Sequence, residues 1–286
     1  MTITARNYSA QARRGLINFA SRLPEEMPTG KLAINCFSLL IDKAIHFAIP
    51  DGGRIFDDGL RGLEGKKLRL PYPTITIEWH ELTQDSSDTR QVDKRVLIAS
   101  EIAGDDDEIM IVVYSAYHFC DGEWELAPVG YRFQESWDRG RPSGERGVVP
   151  FDPFPISDFE FCFESAIKRH DDGIMVGQAG VILEFLEALA CSNVTHEPIE
   201  PVDPRKNAKR IKAGKLPIYE TRILTIEAGK QGQGGTGQGG SHASPRQHLR
   251  RGHIRRLADK NIWVNACVVG KAETGVIDKQ YHVKAA

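Results

Sequence analysis

The spacing of apolar residues changes partway along the chain, and that change restricts the fold more than any other feature of the sequence. Over residues 10–23 and 32–47 apolar side chains recur every three to four positions, as on one side of a helix. Glu25, Glu26 and Pro28 interrupt the pattern between them, so the spacing predicts a helical hairpin. From about Leu68 the period becomes two. Residues 74–79, 95–101, 108–117 and 123–133 alternate as half-buried strands do and predict an antiparallel meander. The acidic run at 104–108 reads as a solvated hairpin tip, and the glycine-rich stretch 137–147, extended by Pro150, Pro153 and Pro155, as an exposed loop. Helical spacing returns at 159–170 and 174–191, where Val181, Ile182, Phe185, Leu186 and Leu189 share a face expected to pack on the sheet, and residues 192–204 then read as a turn. The resulting class is α+β, with an N-terminal helical hairpin, a mainly antiparallel sheet with helices packed on one face, and a C-terminal basic β segment.

At 286 residues the chain can bury a substantial core. It holds no apolar run of about 18 residues that would span a bilayer, and its N-terminal stretch lacks the features of a signal peptide. The expected location is the cytoplasm of a bacterial host, with no membrane partner. Cys36, Cys120, Cys162, Cys191 and Cys267 are nowhere closer than 29 residues, too sparse for a local zinc or redox pair, and are expected to be buried thiols. No phosphate-binding loop, nucleophile elbow or zinc-protease motif occurs, so no cofactor or metal is expected.

The net charge of −2 conceals a strong division. Residues 205–260 hold 14 Lys and Arg against 3 Asp and Glu, whereas residues 1–204 hold 20 against 34. Local rather than net charge sets affinity for a polyanion, so the basic part is the candidate contact surface for nucleic acid; docking on the chain's own acidic body is the plainer alternative. Two segments carry the charge. The run 205–215 has six Lys or Arg in eleven positions, and a strand at 218–227 follows it; the strand is expected to be anchored and the basic run need not be. The Gly/Gln/Ser tract 230–244 has too little apolar surface to offset its ordering entropy and is expected to be disordered. Strand-like residues 262–269 and 275–283 beyond it are expected to pair with 218–227.

Residues 244–257 then place five arginines and two histidines within fourteen positions. Arginine forks bind phosphate oxygens bidentately and stack on bases, which suits RNA or single-stranded DNA. The candidate nucleic-acid-binding residues are Lys206, Lys209, Arg210, Lys212, Arg246, His248, Arg250, Arg251, Gly252, His253, Arg255 and Arg256. Trp263 and Tyr281 are possible stacking platforms, although Trp263 reads more simply as a core residue of its strand. His248 and His253 also allow ribonuclease chemistry, with one imidazole as base and the other as acid, provided a turn at Gly252 aims them together.

Several of these stretches resemble a set of mostly uncharacterised proteins of tailed phages and prophages that includes a type V-A anti-CRISPR. They are ALACSNVTHEPIEP (188–201), RKNAKRIKAGKLPIYETRILTI (205–226), SPRQHLRRGHIRRL (244–257), IWVNACVVG (262–270) and GVIDKQYHV (275–283). Leu70-Pro71-Tyr72-Pro73-Thr74-Ile75 resembles the family's apolar "LP" strand more loosely. His248, Arg250, Arg251, Gly252 and His253 match the shared element, with Leu249 at its aliphatic position; Ile254 replaces an aromatic, and the Gly/Gln tract looks like an insertion. The resemblance implies a phage counter-defence factor that recognises the nascent N-terminal part of a CRISPR nuclease and brings about loss of the message encoding it. The chain therefore reads as an acidic α+β body (1–204), a basic run plus strand (205–229), a Gly/Gln-rich loop or linker (230–244) and a basic C-terminal β segment (245–286). The expected partners are RNA or a ribonucleoprotein at the basic segments and a host protein at the acidic body. A ribonuclease and a purely protein-binding inhibitor are the alternatives.

Overall fold

The computed structural model describes residues 5–26, 28–55, 69–81, 92–103, 109–120, 122–127, 129–134, 152–155, 176–199, 202–226, 246–250, 253–257, 259–264, 267–269 and 271–276. The elements begin with helices α1 (Tyr8–Arg22) and α2 (Pro28–Lys43). Strands β1 (Ile45–Ala48), β2 (Thr74–His80), β3 (Val92–Ala103), β4 (Ile109–Phe119), β5 (Trp124–Leu126), β6 (Val129–Gln134) and β7 (Asp152–Pro155) follow. After them come α3 (Val176–Leu189), β8 (Val194–Pro198), α4 (Pro204–Lys212) and β9 (Thr221–Ile226). Five short strands end the described chain: β10 (Arg246–Arg250), β11 (His253–Arg256), β12 (Asn261–Val264), β13 (Cys267–Val269) and β14 (Lys271–Val276). The chain divides into two compact units, one of residues 1–187 and 196–224 and one of residues 188–195 and 225–286.

The large sheet has nine strands in the order β7-β6-β4-β3-β2-β1-β9-β8, with β5 also paired to β4. The meander from β2 through β3 and β4 to β6 and β7 is antiparallel, while β1 runs parallel to both β2 and β9. This is the mainly antiparallel α+β arrangement that the change of period predicts. One boundary differs: the helical spacing runs to residue 47, but α2 ends at Lys43 and Ile45–Ala48 form β1. Strands wait on both sides of this segment, and two ladders of backbone hydrogen bonds outweigh a few residues of local helical preference.

Helices cover both faces of the sheet. On one, Ala12, Leu16 and Ala20 of α1 and Ile34, Phe37 and Ile41 of α2 pack with Val96, Ile98, Ala116, Trp124 and Leu126. The backbone of α1 comes so close to β5 that a Cβ on Gly15 would lie 2.7 Å from Trp124 Cβ. On the other, Phe185 of α3 meets Phe47 edge-on at 4.9 Å; Phe47 alternates with His46 along β1 and so points away from the hairpin. The expected one-sided layering is thus refined, because the strands carry apolar residues at both parities: Val96, Leu97, Ile98 and Ala99 are all buried. Val181, Ile182, Phe185 and Leu186 of α3 are buried as their spacing predicts, Leu189 on the same face is half-buried, and Leu183 and Ala188 are buried too.

A buried polar joint fixes the start of α1. Its N-cap, Asn7, is left-handed (φ 57°) and does not cap with its side chain. That amide instead donates from Nδ2 to Pro217 O at 2.8 Å and accepts at Oδ1 from Tyr219 N at 3.2 Å. Glu78 of β2 takes over the cap. Its Oε1 accepts from the N–H groups of Arg6 (3.3 Å) and Asn7 (3.1 Å), and its Oε2 from Ser9 N (3.0 Å) and Ser9 Oγ (3.3 Å). Burial pushes the Glu78 carboxyl pKa up and these donors oppose the shift. The joint continues from Ser9 Oγ to Thr76 Oγ1 (3.1 Å) and from there to His46 Nδ1 (2.7 Å). His46 stacks on Tyr219 at 4.1 Å, and the Tyr219 hydroxyl donates to Asp42 Oδ1 at 2.7 Å.

Three further expectations are corrected. Cys191 is buried, but Cys36 and Cys120 are exposed, the first on the outer side of α2 and the second beyond the end of β4. The stretch after α3, read as a turn, contains β8. The C-terminal strands pair with one another, as β13-β10-β14 and β11-β12, whereas the neighbours of β9 are β1 and β8. Those sheet positions beside β9 are filled by segments whose alternation is too short to stand out in the sequence. In the second unit the Asn193 side chain clamps the Trp263 backbone, donating to its O at 2.8 Å and accepting from its N at 2.7 Å. The predicted tip at 104–108, loop at 137–147, helix at 159–170, tract at 230–244 and strand residues 277–283 lie outside the described residues, whereas Pro153 and Pro155, read as extending the loop, belong to β7, which pairs with β6.

Candidate functional site

The basic run 205–215 forms α4, and its ends follow local rules. Asp203 caps the helix by accepting from Arg205 N at 2.8 Å, Pro204 occupies the first turn, and Lys209, Arg210 and Lys212 sit in the last turn, where cations offset the helix dipole. Gly214 at φ 69° ends it. No residue of α4 is buried, so apolar packing does not hold it. Side-chain bonds do: Asn207 donates from Nδ2 to Ile218 O (3.0 Å) and accepts at Oδ1 from Ile218 N (2.8 Å), Arg210 Nε donates to Leu216 O (3.2 Å), and Arg14 donates to Gly214 O (3.0 Å). The basic run, which nothing in its sequence pattern required to be anchored, is therefore fastened to segment 216–219, which Asn7 in turn holds. Lys206, Lys209 and Lys212 recur every three residues and are exposed; Arg205 and Lys215 are exposed as well, and Arg210 is half-buried. Cations displayed on a pre-ordered helix can meet a polyanion without paying for its ordering.

In the second unit Arg246, His248 and Arg250 occupy alternate positions of β10, in register with Lys271, Val269 and Cys267 respectively. His253, Arg255 and Arg256 belong to β11, opposite Val264, Ile262 and Asn261. Arg255 is exposed, while Arg251 and Gly252 lie outside the described residues. The strands carrying His248 and His253 belong to separate small sheets, and no register pair joins them. Trp263, read as a core residue, is half-buried.

A second polar constellation, in the first unit, has no counterpart in any sequence motif. Register aligns His80 of β2 with Lys94 of β3, Lys94 with His118 of β4, and His118 with Trp124 of β5. Asp93 falls where the β3–β4 register shifts, between Val92 and Lys94, and a bulge of this kind re-aims a side chain. Its Oδ1 lies 2.7 Å from His118 Nδ1, and its Oδ2 lies 3.3 Å from Lys94 Nζ. Tyr8 closes the row from α1: its hydroxyl is 3.5 Å from His80 Nδ1, and Arg6 and Lys94 each lie 5.9 Å from its ring centre. Arg6 also pairs with Asp51 at 2.6 Å. The row is half-buried, with side-chain exposures of 13% for His118, 22% for Lys94 and 26% for Asp93.

Electrostatics sharpen this row. Desolvation would raise the Asp93 carboxyl, but hydrogen bonds from His118 and Lys94 outweigh it and hold it below its ordinary range. The Arg6 hydrogen bond likewise lowers Asp51, whereas burial raises the Tyr8 phenol. Nδ1 of His118 faces both the Asp93 carboxylate at 2.7 Å and the Lys94 ammonium at 3.3 Å; the shorter contact, to the carboxylate, makes Nδ1 the hydrogen donor, which directs Nε2 away from Asp93. Positions 6, 8, 51, 80, 93, 94 and 118 are too dispersed for any local pattern to connect; only strand register does so.

Among the described residues no group of His, Cys, Asp and Glu could hold a metal ion, and no helix is long and apolar enough to cross a membrane. Comparison of the chain with family models, curated proteins and solved structures finds no match.

Proposed function

We propose that the chain is a phage counter-defence protein, of the anti-CRISPR kind, that binds RNA or a ribonucleoprotein through its basic elements and a host protein through its acidic body. The observation that carries the RNA-binding reading is α4. This helix buries none of its residues, and Lys206, Lys209 and Lys212 on it are exposed and held in place by the bonds of Asn207 and Arg210. A helix that buries nothing contributes little to folding, so six basic residues within positions 205–215 are accounted for by a partner rather than by stability. The arginines of β10 and β11 supply a second phosphate-binding element in the other unit. The counter-defence context and the host protein partner rest on the resemblance of residues 188–283 alone.

The test is retention of a labelled single-stranded RNA across a salt series. The protein carries either Lys206, Lys209 and Lys212 changed to Glu or Arg246, Arg250, Arg251, Arg255 and Arg256 changed to Glu. Each phosphate contact contributes about −0.7 to the slope of log affinity against log salt for a single strand, so each variant is expected to bind more weakly and with a shallower slope. Asn207→Ala, which keeps every charge but releases the helix, is expected to weaken binding without altering the slope. RNA retention unchanged in both charge-reversed forms refutes the reading and favours a purely protein-binding inhibitor.

A further inference from the structure

We infer that His80, Lys94 and His118, with Asp93 behind them, form an acid–base site that cleaves RNA by attack of its own 2′-hydroxyl on the adjacent phosphate. The class of substrate rests on the RNA-binding reading; the chemistry rests on the row itself. Ion pairing on this face requires only Lys94 and Asp93. It does not require an imidazole on either side of the lysine, yet His80 and His118 are both its direct cross-strand partners. Their Cα atoms are therefore two strand spacings apart, about 10 Å, so the two rings can flank a phosphate held over Lys94.

Each ring is oriented through one nitrogen, since Nδ1 of His118 faces Asp93 and Nδ1 of His80 faces the Tyr8 hydroxyl. Nε2 of each is then the reactive atom. In the reaction, Nε2 of neutral His118 takes the 2′-hydroxyl proton, and the Asp93 carboxylate stabilises the imidazolium that forms. The 2′-oxygen attacks phosphorus, and the Lys94 ammonium meets the charge gathering on the non-bridging oxygens. The bond from phosphorus to the 5′-oxygen breaks, and protonated His80 gives its proton to that oxygen. The products are a 2′,3′-cyclic phosphate and a free 5′-hydroxyl; proton exchange with water restores the two imidazoles.

The segment that borders the row also holds the basic helix. Consecutive residues of the segment that starts α1 hold both features: Asn7 binds Pro217 and Tyr219, which precede β9 and follow the lysine helix, and Tyr8 borders the row. The lysine helix and the row are thus tied to the same stretch of chain, residues 7 and 8.

The experiment uses the full chain, a chelator, a mixed-sequence labelled single-stranded RNA, the same sequence as DNA, and the same RNA methylated at every 2′-oxygen. The wild type is expected to cut only the unmodified RNA and to leave cyclic phosphate ends. His80→Asn and His118→Asn are each expected to slow cleavage by about 10²–10⁴-fold while the methylated RNA is still retained. Asp93→Asn tests a positioning role and is expected to move the pH profile of the remaining activity. Failure of the wild type to cut RNA, equal cutting of DNA, or full activity in the His80→Asn/His118→Asn double variant overturns the inference. Failure of the RNA-binding reading shows separately, as no retention of the uncleavable RNA.

Discussion

His46 should make the stability of the first unit fall as the solution is acidified, and replacing it should remove that dependence. Its ring is only 4% exposed, bonded to Thr76 Oγ1 at 2.7 Å and stacked on Tyr219 at 4.1 Å. Burial pushes its pKa from 6.5 to about 4, against a smaller raising effect of Asp42. Between those two values the unfolded chain binds a proton that the folded chain does not. Stability is therefore fully present above pH 6.5 and is lost as pH falls towards 4. The gap of two and a half units, at about 1.4 kcal/mol each, amounts to roughly 3 kcal/mol, a large part of the ~5–15 kcal/mol that holds a typical domain together. His46→Gln lacks the proton site but also loses the stack and part of the bond to Thr76, which costs about 1–3 kcal/mol at neutral pH. Urea unfolding of both proteins at several pH values from 7.5 to 4 is the assay; carboxylates common to both cancel in the difference. The variant is expected to be the less stable at pH 7, with the gap closing or reversing by pH 4. A gap that stays constant over this range would refute the argument, since it would mean that the folded protein accommodates a charged His46.

Two other substitutions test the joints around α1. Glu78→Gln leaves fewer acceptors for the N–H groups of Arg6, Asn7 and Ser9 and is expected to destabilise by about 2–4 kcal/mol, with faster amide exchange at Asn7 and Ser9; unchanged protection there would show that Glu78 does not cap the helix. Gly15→Ala gains up to about 1 kcal/mol of helix propensity but sets a Cβ 2.7 Å from Trp124. Overpacking of about 1–3 kcal/mol should dominate and lower the melting temperature, and a raised one would mean that β5 yields easily.

Much of the architecture was legible along the chain. The helices of the hairpin, the strands of the meander and the buried face of α3 appear in the spacing of apolar residues, because one face of each element must meet a core and the backbone period dictates which residues share it. The division of charge was equally plain, since counting residues needs no coordinates. What could not be read was set by partners distant in sequence. Residues 45–48 continue a helical pattern and become a strand because β2 and β9 flank them. The run 205–215 gives no sign of being held, since its fastening is a few side chains bonded to backbone: Asn207 to residue 218 eleven positions on, Arg210 to residue 216, and Arg14 to residue 214. His80, Asp93, Lys94 and His118 look unrelated until strand register sets three of them side by side and a register shift turns the fourth towards them. Periodicity reports which face a residue occupies. Only the tertiary structure decides which residues from other segments share that face, because hydrogen-bond register and packing between segments are not encoded by any local spacing.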